Sequence, residues 1–205
     1  MSKITGKDLI LLLLYAPGKT GEYGEKIEGR TRLQKMVFLF EKEVYPKFKQ
    51  DKLITEEDLP KFIPYDYGPF SKQVYDDLEF LIGLGFIETI PTSEQVEQGE
   101  EAEYWLWEET TGLEDGPALE GGIVVFEKQA YVLSKIGRDF VEKKLWPLLS
   151  ENQKQALARL KLNCTKASLR TILRYVYEKY PETAKNSKIK DEILRDEASI
   201  SVYQY

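Results

Sequence analysis

The chain has no histidine and only one cysteine, Cys164. Histidine is the commonest general base, the commonest transition-metal ligand and the usual partner of a nucleophilic serine or cysteine. A single cysteine excludes an internal disulfide and a cysteine-based zinc site, so Cys164 is expected to be a small buried apolar residue. The sequence therefore predicts a protein without catalytic residues, metal or cofactor.

Long hydrophobic runs are also scarce. The only one, from Leu9 to Ala16, is far too short to span a bilayer. Pro17-Gly18-Lys19 follows it in place of a signal-peptide cleavage site. A phosphate-binding loop is not expected either, because Gly18-Lys19-Thr20 lacks the upstream glycines and a preceding strand. These absences predict a cytoplasmic protein with no membrane partner.

The composition, 42% hydrophobic and 31% charged residues, is typical of a globular protein. The formal net charge is −6. Any surface that binds nucleic acid must therefore be a local cationic patch on an acidic molecule.

The densest local pattern lies between Tyr65 and Ile90. Pro69 is expected in the first turn of a helix that Gly83 and Gly85 end, with apolar residues at spacings of three and four along one face. Alternating apolar residues from Phe86 to Ile90 predict a strand. A helix, a Gly-x-Gly corner and a strand are the order in which a winged-helix domain joins its second helix-turn-helix helix to its wing.

The other elements follow from caps, breakers and periodicity. The predicted helices cover about residues 6–16, 30–44, 56–61, 134–146, 151–162 and 165–180, with one more from about 189. A strand is predicted at about 123–133, and a short one at 104–107.

An acidic insertion interrupts the predicted wing. Between Thr92 and Gly122 there are ten acidic residues and no lysine or arginine. The predicted fold class is thus α+β and mainly helical: a winged helix-turn-helix-like domain over residues 1–149, with the acidic insertion at about 92–122 in its wing, and a C-terminal helical extension over 150–205.

Two segments carry a resemblance. Arg30-Thr-Arg-Leu-Gln-Lys-Met-Val-Phe-Leu-Phe40, followed by Tyr67-Gly-Pro-Phe-Ser-Lys-Gln-Val-Tyr75, resembles the Panacea (SocA-like) family of antitoxin domains and the related bacterial YwgA-type proteins. The similarity extends over roughly residues 5 to 90. It implies a helical, winged-helix-like core and a role in regulation, or in toxin neutralisation and defence, without catalysis.

The fold predicts where double-stranded DNA would bind. The N-terminal turn of the second helix-turn-helix helix meets base edges, which places three polar residues at the groove. Cations on the preceding helix would hold phosphates. The predicted nucleic-acid-binding residues are Arg30, Arg32, Lys35, Ser71, Lys72 and Gln73. The alternative is a solvated amphipathic helix, since Asp76, Asp77 and Glu79 on the same helix would repel phosphates.

A protein partner is the second hypothesis. Between Asn152 and Tyr177 there are six cations and no acid, and Arg170 and Arg174 share one helix face. This face is predicted to bind nucleic acid, an acidic partner, or the chain's own acidic insertion within a homodimer; the alternative is a solvated or internally paired face. Trp105 and Trp107 are predicted to contact a partner, or else to pack on the domain itself.

The acidic insertion has three interpretations: a solvated loop, a docking surface for a basic partner, or a nucleic-acid mimic. Function is accordingly predicted as a non-enzymatic winged-helix regulator that binds DNA. The alternative is a protein-binding, antitoxin-like or defence-associated module without DNA contact.

Overall fold

The structure is a computed structural model, and it describes residues 4–49, 51–92, 119–120, 123–124 and 128–195. Within these residues the chain is a mainly helical α+β protein with small antiparallel sheets. Eight α-helices occur in this part of the chain: α1 Gly6–Tyr15, α2 Arg30–Leu39, α3 Pro46–Lys49, α4 Lys72–Gly83, α5 Lys135–Phe140, α6 Glu151–Lys166, α7 Leu169–Lys179 and α8 Lys190–Arg195.

Single turns of other helix types extend some of them. A π-helical turn, Phe40–Val44, continues α2, and a second, Val141–Leu145, continues α5. Short 3₁₀ helices occur at Glu56–Asp58, Trp146–Leu148 and Pro181–Ala184.

The strands form three small antiparallel sheets. They are β1 Ile27–Glu28, β2 Ile63–Tyr65, β3 Gly68–Phe70, β4 Ile87–Thr92, β5 Leu119–Glu120, β6 Ile123–Val124 and β7 Lys128–Leu133. The main sheet has the order β1-β7-β4, in which Ile27 lies opposite Tyr131 and Ile87 opposite Leu133. The hairpin β2–β3 and the pair β5–β6 are separate.

The centre of the core is α1. Six consecutive apolar residues, Leu9 to Leu14, are buried, because α4, β7, the second π-helical turn and α6 surround the helix. Most of α2 is buried as well, between α4, α6 and α7. The C-terminal helices α6 and α7 contribute to the same cluster of buried side chains as α1 and α2.

The predicted helix boundaries are largely confirmed where caps define them. The Asp8 carboxylate accepts hydrogen bonds from the backbone N–H and hydroxyl of Thr5 at the start of α1. Ser134 caps α5 by accepting from the Gly137 N–H. Gly85, with φ +72°, closes α4 in a Schellman motif: its N–H donates to Ile82 O, and the Phe86 N–H donates to Leu81 O.

Some predicted boundaries were wrong. The helix α6 continues to Lys166, past its predicted end at 162, and α7 begins at Leu169 instead of 165. The helix predicted at about 56–61 is a 3₁₀ turn, Glu56–Asp58.

Pro69 does not lie in the first turn of α4; it lies in β3, opposite Pro64, and Ser71 is the N-cap of the helix. Gly68 has a positive φ of +86°, which turns the chain into the hairpin before the helix begins. The strand predicted at 104–107 lies outside the described residues.

Candidate functional site

The two segments that carry the family resemblance meet in space. The residues of α2 face the β2–β3 hairpin and the start of α4. The Gln34 side-chain amide donates to Ser71 O (2.9 Å), and its oxygen accepts from the Ser71 N–H (3.1 Å). Gln34 therefore fixes the N-cap of α4 against α2.

Arg30, at the N-terminus of α2, joins three elements. Its Nε donates to the Tyr131 hydroxyl of β7 (2.8 Å), and its Nη1 donates to the Tyr75 hydroxyl of α4 (2.5 Å). Its Nη2 forms an ion pair with Glu79 (2.7 Å), also on α4. Arg30 is half-buried, and this ion pair neutralises its charge.

Arg32, one of the cations predicted to hold a phosphate, is buried in the fold. Its side chain is only 7% exposed. The guanidinium donates to the carbonyl oxygens of Glu28, Cys164 and Ala167, the last two at the C-terminal end of α6. A cation at that end stabilises the unpaired carbonyls and the negative pole of the helix. In this conformation Arg32 supports the fold and does not face phosphates.

Lys35 is buried as well, contrary to expectation, and is only 3% exposed. Its Nζ donates to Pro69 O at 2.9 Å. Within the described residues no carboxylate forms an ion pair with it. Burial lowers the pKa of the Lys35 ammonium to about 7. Both cations are inside because α2 has packing partners around most of its surface.

Next to Lys35 is a narrow cleft of about 20 Å³ between α2, the hairpin and α4. Arg30 and Lys35 line it together with the rings of Tyr65, Tyr67 and Tyr75. The Arg30 guanidinium lies 4.6 Å from the centre of the Tyr75 ring. The cleft thus combines cationic donors with aromatic walls.

The predicted base-contacting residues are divided between surface and interior. Lys72 and Gln73 are exposed at the start of α4, and Ser71 is buried. The Ser71 hydroxyl has no hydrogen-bond partner among the described residues. Lys72 pairs with Asp76 at 2.8 Å, one turn along the helix. The structure brings these three residues together, but only Lys72 and Gln73 face solvent.

The C-terminal cations form internal contacts. Arg174 pairs with Glu178 (3.0 Å), and the Arg170 guanidinium donates to Glu192 O of α8 (3.3 Å). Both side chains therefore have partners within the chain. Trp105, Trp107 and most of the acidic insertion lie outside the described residues.

Sequence reasoning missed a buried lysine on α6. Lys161 is 0% exposed, and its Nζ donates to Leu14 O and Glu25 O, both at 2.7 Å. Burial lowers its pKa to about 7. Its spacing of four from Leu157 and three from Cys164 places it on the apolar stripe, which is the pattern that indicates its burial.

A second missed feature is a cationic groove between the end of α2, α3 and α6. Two adjoining cavities of about 360 and 650 Å³ share Lys47, Ala156 and Arg159. Glu43 also lines the groove and accepts from Lys179, Tyr175 and Tyr180. Lys47 and Arg159 form no ion pair within the described residues.

Two further searches of the described residues gave negative results. No group of three or more histidine, cysteine or acidic residues is arranged to hold a metal ion. No helix in this part of the chain is long and apolar enough to cross a membrane. Comparison of the chain with protein families, with curated proteins and with solved structures gave no match.

Proposed function

We propose that the chain is a non-enzymatic, winged-helix-type protein that recognises another protein through the exposed face of α4. The order of elements supports the winged-helix part of the proposal. The winged-helix order is given by α1, β1, α2, α4, β4 and β7, with α3 and the β2–β3 hairpin inserted between α2 and α4 and the pair β5–β6 between β4 and β7. The last strand, β7, lies between β1 and β4. In such domains α4 would be the recognition helix. The lack of histidine supports a role without catalysis.

The charges on and around α4 favour a protein partner over DNA. Lys72 is its exposed cation and is paired with Asp76. Glu79 neutralises Arg30, while the burial of Arg32 and Lys35 removes two further cations from the surface. Because these cations are paired or buried, this face offers no free positive charge to phosphates, whose attraction supplies most of the non-specific affinity for DNA.

Apolar side chains are exposed at the other end of the same helix. Leu84 is 53% exposed, and Phe80, one turn earlier, is similarly exposed. Ile136 is also exposed and is close by, because the Ser134 hydroxyl donates to Gly85 O (2.6 Å). Interfaces combine an apolar centre with a polar rim. The partner expected here presents an apolar segment to Phe80 and Leu84, with polar groups around it.

Site-specific photo-crosslinking in the organism that carries the gene tests this proposal. A benzophenone side chain in place of Leu84 is expected to form adducts that protease removes and nuclease leaves intact. Replacement of Tyr23, which is 48% exposed on another part of the molecule, is the matched control. Nuclease-sensitive adducts at position 84, or equal adducts at both positions, would contradict the proposal.

Nucleic acid binding is the second candidate, because the cationic groove offers a different surface for phosphates. Lys47 and Arg159 face an open groove without a carboxylate partner among the described residues. If this candidate is right, Lys47→Glu with Arg159→Glu abolishes salt-sensitive binding of random duplex DNA in fluorescence anisotropy, while Lys72→Glu leaves it unchanged. Loss with Lys72→Glu alone would instead assign DNA binding to α4.

A further inference from the structure

We propose that the cleft between α2, the β2–β3 hairpin and α4 binds a carboxylate group, with Lys35 as its ionic partner and the tyrosine rings around its carbon stem. This site is separate from the exposed apolar end of α4. It follows from the surroundings of Lys35 and does not depend on the proposed function.

The first observation is a buried amine with unused hydrogen-bonding capacity. An ammonium has three donors, and Lys35 uses one of them, on Pro69 O. A buried cation is stable only when it is paired and hydrogen-bonded. Lys35 has no carboxylate partner in the described residues, so an added carboxylate would supply what the fold does not.

The second observation is the shape of the cleft. Its volume of about 20 Å³ leaves room for little more than one water-sized group. A planar carboxylate end fits such a space better than a phosphate with its four oxygens. The cleft is open to solvent and Tyr65, Tyr67 and Tyr75 line it, so an apolar or aromatic stem would extend from the carboxylate along these rings towards the opening.

The third observation is the charge on each element around the amine. On α2 the neighbouring cation is Arg30, which Glu79 of α4 already neutralises. The hairpin contributes Tyr65, Tyr67 and the Asp66 carboxylate, which is paired with Lys188, and α4 contributes Tyr75. Behind the hairpin, α7 contributes Tyr177, whose ring lies against Gly68. Burial raises the pKa of both Tyr67 and Tyr177 further above the neutral range. An incoming carboxylate therefore meets one unpaired cation and neutral walls.

Proton linkage gives the proposal a measurable signature. Lys35 binds a carboxylate in its charged form, and burial holds the pKa of its ammonium at about 7 in the ligand-free protein. Bound carboxylate stabilises the ammonium and raises that pKa. Affinity consequently falls about tenfold per pH unit above pH 7, until the pKa of the bound state is reached.

The test is an NMR titration of protein labelled with ¹³C at lysine Cε, from pH 6 to 9, in sodium acetate and in sodium chloride of equal ionic strength. In acetate the Lys35 midpoint is expected to rise by at least one pH unit. Lys161 is an internal control, because its pKa is also about 7, but two of its three donors are used by carbonyl oxygens and it does not line the cleft.

A midpoint for Lys35 that moves no more than that of Lys161 overturns the proposal. Lys35→Met assigns the signal, and it must also abolish the saturable changes that acetate causes in the Tyr75 ring resonances. Changes that persist in this folded variant likewise overturn the proposal.

Two further probes distinguish the source of the carboxylate. Phenylacetate and an acetylated tetrapeptide with a C-terminal carboxylate are compared with the same peptide as an amide. A midpoint shift with phenylacetate but with neither peptide indicates a small carboxylic acid. A shift with the acid peptide and none with the amide indicates the terminus of a protein. A shift of equal size with the amide peptide would show that binding does not need the carboxylate, and would overturn the proposal.

Discussion

The two buried lysines, Lys35 and Lys161, predict an unusual dependence of stability on pH. In the folded protein each ammonium has a pKa near 7, and in the unfolded chain it returns to about 10.5. Between these values the unfolded state binds more protons, so the free energy of unfolding rises with pH. The stabilisation is complete above pH 10.5 and is lost as pH falls toward 7.

The magnitude follows from the proton count. Between pH 7 and 8.5 each folded lysine loses most of its remaining charge while the unfolded lysine stays protonated. Integration gives an increase of about 1.5 kcal/mol for each lysine and about 3 kcal/mol for the two together. No histidine is present to titrate nearby. Cys164, whose pKa burial raises to about 12, has the opposite effect at higher pH, where the unfolded thiol ionises.

The assay is guanidinium unfolding followed by far-UV circular dichroism at pH 7, 7.5, 8 and 8.5. Lys35→Met keeps an aliphatic side chain in place and is expected to halve the increase, to about 1.5 kcal/mol. Lys35→Met with Lys161→Met is expected to abolish the contribution of both lysines. Groups common to all variants, such as the terminal amine, cancel in the comparison. An unchanged slope in Lys35→Met would refute the reasoning.

Two other substitutions, each with a control, test the contact of the hairpin with α7 and the contact of α2 with α6. Gly68→Ala places a Cβ 2.6 Å from Tyr177 Cε1 at a positive φ, with an expected loss of about 3 kcal/mol. Gly85→Ala is the control, because Gly85 also has a positive φ but its Cβ would meet open space; it is expected to lower the free energy of unfolding by about 1 kcal/mol. Equal losses in the two variants would show that the clash with Tyr177 does not contribute. Arg32→Met leaves buried carbonyl oxygens unpaired and is expected to lower the free energy of unfolding by about 3 kcal/mol. Arg159→Met, at an exposed position, is its control and is expected to cost less than about 0.5 kcal/mol. Chemical denaturation measures all four.

Local patterns predicted the elements well where the physical cause was itself local. Thr5 and Ser134 cap helices, and Gly85 ends α4, because these contacts form between residues close in sequence. Pro69 misled the prediction, since its position in a hairpin depends on pairing with β2 and not on its own backbone preference.

The burial of Arg32 and Lys35 could not be predicted from local sequence patterns. Arg32 and Lys35 were predicted to hold phosphates, which requires both side chains to be exposed. The helix instead packs against elements from distant parts of the sequence, including α6 and α7. Only the positions of those helices decide that Arg32 meets the end of α6. Contacts between elements that are far apart in the sequence do not affect the spacing of apolar residues along one helix, so that spacing cannot predict them.

The same structural contacts separate the two buried lysines by what each does for the fold. Lys161 donates to two carbonyl oxygens, one of them in the last turn of α1, and so joins α1 to the segment before β1. Lys35 donates to one carbonyl oxygen, that of Pro69. A pKa lowered from 10.5 to about 7 corresponds to a net cost of about 5 kcal/mol for the charged form of either lysine. The two lysines therefore differ in their contacts and not in this cost.

Gln34 and Arg30 already hold α4 against α2, so the hairpin and the helix do not need a buried amine to stay in place. A group that costs stability and has donors to spare beside an open cleft is what a binding residue requires, whereas Lys161 has the surroundings of a structural one.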